Sequence, residues 1–174
     1  MRRHDISFPV SVKEHHRHNR NSLKVGVLTA SDSRNPETDE SGRLIRDLLT
    51  TAGHRVEYYE VLPDDPARIR KAVLEKLQTL DAIVINGGTG IAARDSTIEA
   101  IRGLLDKELE GFGELFRYLS YQQIGSAAFL SRALAGIAGG KIVASLPGSP
   151  DACRLAMEKL LIPELGHIAH LLKL

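Results

Sequence analysis

The sequence predicts an α/β fold: a three-layer, doubly wound, mostly parallel sheet with helices on both faces. Three observations carry that expectation. Short β-branched runs alternate with stretches whose apolar residues recur at three and four, the pattern of βαβ units and right-handed crossovers. Lys24-Val-Gly-Val-Leu-Thr-Ala30 and Ala82-Ile-Val-Ile85 are apolar on both faces, as parallel central strands are. Asn86-Gly87-Gly88-Thr89-Gly90 then breaks a strand just ahead of a helical pattern, which is how α/β folds present backbone N–H groups to an anion.

Residues 1–22 are polar and basic, with His4, His15, His16 and His18 and five arginines or lysines. They are expected as an arm outside the domain, loose or docked on a neighbouring subunit, with adventitious metal binding as a weaker possibility. Within the arm, Ile6 to Val10 alternates and is a candidate edge segment. Residues 23–174 read as one domain. The first strand ends in the polar loop Ser31-Asp32-Ser33-Arg34. Asp39-Glu40-Ser41-Gly42 precedes a helix with Leu44, Ile45, Leu48, Leu49 and Ala52 on one face, and Gly53 stops it. Val56 to Val61 is a second strand, placed toward the sheet edge by its charges and tyrosines. Asp65 followed by Pro66 is an N-cap and first helical residue.

Ser96-Thr-Ile-Glu99 matches a capping box, opening a helix expected to reach about Leu105. The two glycines around Phe112 suggest a turn, and Ser126 to Ser131 a stretch for close helix packing. Arg132 to Leu146 reads as a hairpin turning at Gly139-Gly140, or as a short strand and then a core strand. Pro147-Gly148-Ser149-Pro150 is a glycine turn leading into a helix, and Pro163 begins the last one.

Bulk properties bound the function. The 174 residues are 43% apolar and 26% charged, with a net charge of +1. That is ordinary for a soluble domain able to bury roughly 70% of its unfolded surface. The balance gives no reason to expect a nucleic-acid partner. No apolar run is long enough to span a membrane and no signal-peptide core is evident, so the cytoplasm is the expected location. Cys153 is the single cysteine, which excludes an internal disulfide. With no base recognisable nearby, it reads as a packed thiol. His167 and His170 read as surface residues.

The loops Ser31 to Arg34, Gly87 to Asp95 and Pro147 to Pro150 follow strands, so their carboxyl ends should share one crevice. Gly87-Gly-Thr-Gly90 lacks dinucleotide-type spacing and no Gly-Lys-Ser/Thr follows it, so a phosphate-bearing ligand is expected without a Walker or NAD site. Each piece also has a plain structural reading. The glycines can form a bare turn, Asp95 can cap a helix, Asp64 can sit solvated, and Ser131-Arg132 can be an ordinary loop pair.

Taken together, Gly87-Gly-Thr-Gly90 with Arg94-Asp95 and Glu99-Ala100, Glu110-Gly-Phe-Gly-Glu114, Leu130-Ser-Arg-Ala133 with Gly136, and Pro147-Gly-Ser-Pro150 resemble one family. It comprises the molybdenum-cofactor biosynthesis proteins MoaB and MogA and the G domains of gephyrin and its plant counterpart. Tyr118 to Gly125 and the compact length are more similar to MoaB. The likeness runs from about Leu23 to the C-terminus.

The resemblance implies molybdopterin adenylyltransferase activity: ATP and molybdopterin give adenylyl-molybdopterin and pyrophosphate, with Mg²⁺ as cofactor. It implies a homotrimer or hexamer and a molybdenum-insertion partner of the MoeA type. Asp64 and Asp95 match the family's two acids, expected to be catalytic and to hold the metal. Ser131 matches the serine of Leu-Ser-Arg. The expected substrate-binding set is Ser31, Asp32, Ser33 and Gly42 from the first loop and helix, with Gly87, Gly88, Thr89, Gly90 and Arg94 from the second. Ser131 and Arg132, then Pro147, Gly148 and Ser149, complete it. Asn is common in the family where Ser149 stands. Some MoaB proteins lack one or both acids and are regarded as inactive, so the alternative is a non-catalytic molybdopterin-binding carrier or scaffold. Both acids are present here.

The chemistry agrees with this expectation. Joining two phosphate-bearing substrates is mostly positioning and charge neutralisation. Mg²⁺ prefers one or two carboxylates, waters and phosphate oxygens. The attacking phosphate is already an anion, so no general base is needed.

Overall fold

The computed structural model describes residues 22–174; the arm up to residue 21, with its Ile6 to Val10 segment, lies outside them. A six-stranded sheet runs in the order β2-β1-β3-β6-β5-β4. Its strands are β1 (Lys24–Ala30), β2 (Arg55–Leu62), β3 (Ala82–Asn86), β4 (Lys107–Glu108), β5 (Leu134–Ala138) and β6 (Lys141–Leu146). The first four in spatial order are parallel, and β5 and β4 add antiparallel pairs. The mostly parallel, three-layer expectation holds, with β2 at an edge as its composition suggested.

Helices cover both faces, which is why the central strands carry apolar residues toward both sides, with the polar Thr29, Asn86 and Ser145 at or near their carboxyl ends. Val25, Val27, Ala82, Val84, Ile142, Ala144 and Leu146 point to one side. There they meet α1 (Glu40–Thr51), α4 (Glu110–Ile124), α5 (Pro150–Ala156) and α6 (Ile162–Leu172). Leu28, Ile83, Ile85 and Val143 point to the other side, under α2 (Pro66–Lys76) and α3 (Thr97–Arg102). Asp65 caps α2 as its sequence dictates, accepting from the N–H groups of Ala67 and Arg68 at 2.9 Å. The β5–β6 hairpin forms, turning where Gly139 and Gly140 take φ of +55° and +74°, the left-handed geometry a two-residue hairpin turn demands. A wide helical segment, Met157–Leu161, joins α5 to α6. It sits just where Pro163 lacks the N–H that a regular helix would use.

Four local expectations are corrected. Gly111 and Gly113 lie inside α4 rather than in a turn. Gly113 is buried there because a Cβ would come within 2.8 Å of the Ala133 carbonyl oxygen; the glycine serves close packing. The Ser96–Glu99 capping box does not form. Ser96 occupies the N-cap of α3 without a side-chain cap bond, and Glu99 is drawn away to Arg132. The helix stops at Arg102 rather than Leu105. The stretch Gly125–Leu130 is a 3₁₀ turn of which only Ala128 is buried, so it does not mediate close helix packing.

Candidate functional site

Because β1, β3 and β6 are parallel neighbours, the loops after Ala30, Asn86 and Leu146 leave the sheet at the same edge. β5 is antiparallel to β6, with Leu134 opposite Ser145. The segment entering β5, Ser131 to Ala133, therefore arrives at that edge as well. These four segments line one cleft of about 430 Å³. Ser31, Ser33 and Arg34 form one wall and Pro147 with Gly148 another. Gly87 to Gly90 with Asp95, and Leu130 with Ser131, close the remainder.

The glycine loop is shaped by close approach. Gly87 has φ +93° and any Cβ on it would overlap the carbonyl oxygen of Ala30. Its own N–H is spent on Leu146 O at 3.0 Å, so it is not available to a phosphate. That narrows the expected cradle. Among the described residues, no acceptor takes the N–H groups of Gly88, Thr89 and Gly90, which leaves them available to donate. The loop carbonyls are held in place: Thr97 N donates to Gly88 O and Arg132 N to Thr89 O, both at 3.1 Å.

Arg132 fixes the loop a second way. Its Nε donates to Gly90 O and its Nη2 to Asp95 O, each at 2.8 Å. Nη1 pairs with Glu99, whose carboxyl is held below the usual range chiefly by that hydrogen bond. With all three nitrogens engaged, Arg132 is a staple outside the cleft rather than a group facing into it.

The two expected acids flank this loop. A Cβ on Gly88 would stand 2.8 Å from Asp64 Oδ1, and one on Gly90 would stand 2.7 Å from Asp95 Oδ2. Asp95 accepts from Ala92 N at 2.8 Å, so it closes its own loop and does not cap α3. Asp64 Oδ1 is buried with no hydrogen-bond donor among the described residues. Burial, then the nearby charges of Asp32 and Asp95, push the Asp64 carboxyl above the ordinary aspartate range, against the pull of Arg94. An anionic oxygen so poorly satisfied is suited to receive a cation. Asp32 is exposed and its Oδ1 accepts from Asp64 N at 3.1 Å, tying the first loop to the second acid-bearing one. Arg94 is exposed, beside Asp64 but off the cleft wall.

Two further expected residues sit behind or beside the cleft, as Asp32, Asp64, Arg94 and Arg132 do. Gly42 is buried in the first turn of α1, where a Cβ would collide with Asp39. Ser149 is exposed and caps α5 through Ala152 N at 3.3 Å. Cys153 is fully buried and donates to Pro147 O at 3.1 Å. Burial pushes its thiol up to about 12, which makes it an inert packing group.

Beneath the cleft lies a polar network that the sequence did not disclose. Asp39, 0% exposed, accepts from Thr29 Oγ1 at 2.5 Å, Tyr59 OH at 2.8 Å and Gly42 N at 3.0 Å. Thr29 Oγ1 in turn accepts from Asn86 Nδ2 at 2.7 Å, directly before Gly87. Nearby, Ser41 Oγ donates to Gly148 O at 2.7 Å. The signal available was that Thr29, Asn86 and Asp39 are polar residues at strand ends and a helix start. Their convergence depends on strand order.

Comparison with known proteins agrees with this architecture. The family described as a probable molybdopterin binding domain matches residues 26–167. Molybdenum cofactor biosynthesis protein B of Bacillus cereus is 52% identical over 162 residues, 91% of this chain and 96% of that protein. Its Bacillus subtilis counterpart is 49% identical over 91% of this chain and 95% of its own length. A solved molybdenum cofactor biosynthesis protein B, 52% identical, has a TM-score of 0.85 over 88% of this chain and 97% of its own. The tungsten cofactor synthesizing protein MoaB of Pyrococcus furiosus is 40% identical, with a TM-score of 0.80 over 88% of this chain and 99% of its own. Sequence, fold and cleft lead to the same place: this chain belongs to the probable molybdopterin-binding domain family and, within it, to the molybdenum cofactor biosynthesis protein B (MoaB) group.

Proposed function

We propose that this protein is a molybdopterin adenylyltransferase, joining the terminal phosphate of molybdopterin to the α-phosphorus of ATP with release of pyrophosphate. One observation carries the reading: Asp64 and Asp95, from different loops, flank the Gly88–Gly90 turn, Asp95 on the cleft wall and Asp64 behind the turn, and Asp64 Oδ1 is buried without a donor among the described residues. A carrier that only bound the pterin would have no use for so costly a carboxylate.

The donor set suits Mg²⁺. Asp64 and Asp95 would hold it, sharing it with phosphate oxygens, since no group of three or more metal-ligating side chains is assembled among the described residues. Bound there, the cation supplies neutralisation of phosphate charge. The chain's own contribution is positional. The N–H groups of Gly88 to Gly90 orient phosphate oxygens, and Arg132 keeps those groups aimed. The reading requires no proton abstraction, because the attacking phosphate is anionic.

We also propose self-association through α4 and the turn after it. Leu115, Tyr118, Tyr121, Ile124 and Phe129, along α4 and the turn after it, are 54–73% exposed, and several large apolar side chains exposed along one stretch mark a candidate interface.

The test of function is pyrophosphate release from Mg-ATP and molybdopterin. Asp64→Asn and Asp95→Asn should each lose at least ~10²-fold, the scale of removing one charge-stabilising group from a transition state. Wild-type rates in both variants would discard the site. Tight pterin binding with no turnover by the unmodified protein would instead indicate a carrier.

A further inference from the structure

We propose that Arg34 is the cation that receives the anionic end of the ligand in the cleft, and that buried Asp39 is the residue that positions it. The proposal rests on the reading that the cleft takes a phosphate-bearing ligand.

Arg34 is the one cationic side chain on the cleft wall among the described residues. The other arginines near the site are committed or displaced: Arg132 has all three nitrogens engaged, and Arg94 does not line the cleft. Arg34 differs. Its Nη1 stands 3.6 Å from Asp39 Oδ1 and 3.4 Å from Ser41 Oγ. Among the described residues its Nε and Nη2 have no partner. The guanidinium is thus held by one corner, with its remaining donors left for the bidentate recognition that arginine gives to phosphate.

Asp39 is built more heavily than a helix cap needs. Capping α1 requires only the bond from Gly42 N, and a neutral, exposed side chain would serve. Instead a carboxylate with 0% side-chain exposure is surrounded by Thr29 from β1, Tyr59 from β2 and Arg34 from the loop. Burying an ion is costly unless its partners are fixed, so the network holds Asp39 rigid, and Asp39 holds Nη1. Ser41 extends the same hold to the Gly148 wall through its 2.7 Å bond. Asp39 does not touch the ligand space; it acts through Arg34.

Calorimetric titration of the full chain with Mg-ATP and with inorganic pyrophosphate tests this, with thermal melts to confirm folding. Arg34→Ala should weaken both ligands by on the order of tenfold to a hundredfold, the range of charge-assisted hydrogen bonds. Arg34→Lys should recover part of the loss. Asp39→Asn removes the charge and one of the two acceptor oxygens, keeping either that of Gly42 or that shared by Thr29 and Tyr59, and should weaken binding in the same direction. The double variant should bind no worse than Arg34→Ala alone, a non-additivity that a merely structural Asp39 would not produce. Ser41→Ala, which removes the second partner of Nη1, gives an independent reading if Asp39→Asn fails to fold, and should weaken both ligands severalfold. Unchanged binding in Arg34→Ala, or multiplying losses in the double variant, overturns the assignment. So does a wild-type chain that binds neither probe. Binding that follows this pattern in a protein without turnover would reject the adenylyltransferase reading and leave this one standing.

Discussion

Arg132 Nε donates to Gly90 O at 2.8 Å across 42 residues of sequence, making the loop before β5 the clamp on the glycine loop after β3. The same side chain has an exposed ion pair with Glu99, 56% exposed on the acid's side. These two roles separate under mutation. Glu99→Gln should cost about 0–1 kcal/mol, as surface pairs do. Arg132→Ala leaves the Gly90 and Asp95 carbonyls without donors and should cost about 1–3 kcal/mol while raising KM. Arg132→Lys cannot reach both carbonyls and should resemble the alanine variant. Denaturant melts and steady-state kinetics check both halves; equal costs for the Glu99 and Arg132 variants would contradict the clamp.

Asp64 should show a conflict between stability and activity. A carboxyl raised above its unfolded value keeps its proton longer in the native state. Stability therefore falls as pH climbs from the ordinary aspartate range through the raised value, and the cost is complete above it. Asp64→Asn removes that cost. The variant should melt no lower than wild type at neutral pH, and the difference should fade in acid below the ordinary aspartate range. Tm measured against pH decides; a variant that is less stable at neutral pH would refute the burial argument.

Adjacent glycines should fail for different reasons. Gly87→Ala sets a Cβ against the Ala30 carbonyl, which is backbone and cannot yield, at φ +93°. It should cost stability by at least about 1–3 kcal/mol of strain. Gly88→Ala, at the milder left-handed φ of +62°, meets Thr97 Oγ1 and Asp64 Oδ1, side-chain rather than backbone atoms. It should lose less stability but displace Asp64 and so depress turnover. Paired melts and rate measurements would show whether the two losses separate.

The exposed face of α4 predicts concentration-dependent association. Tyr121→Glu and Phe129→Glu place charge on residues that are 61% and 73% exposed, so neither should harm the fold. Each should shift the mass measured by sedimentation toward the monomer. Unaltered assembly in both would place the interface elsewhere.

How far the sequence alone reached follows from what is local. The strand runs, the Asp65–Pro66 cap, the Gly139–Gly140 hairpin and the order of strand, glycine loop and helix are dictated by neighbouring residues, so periodicity and turn chemistry reveal them. The single cleft follows as well, because parallel strands must release their loops at one edge. Other features were decided only by tertiary structure. Gly113 reads as a turn until Ala133 is found packed against it, and Ser96–Glu99 reads as a capping box until Arg132 competes for Glu99. Arg132 itself reads as a binding residue until its donors are seen to be spent on the glycine loop. The Asp39 network requires β1, β2 and β3 to lie side by side, and no stretch of sequence records that neighbourhood. Local chemistry determined what kind of loops this chain builds; strand order determined which charges reach the cleft and which lie behind it.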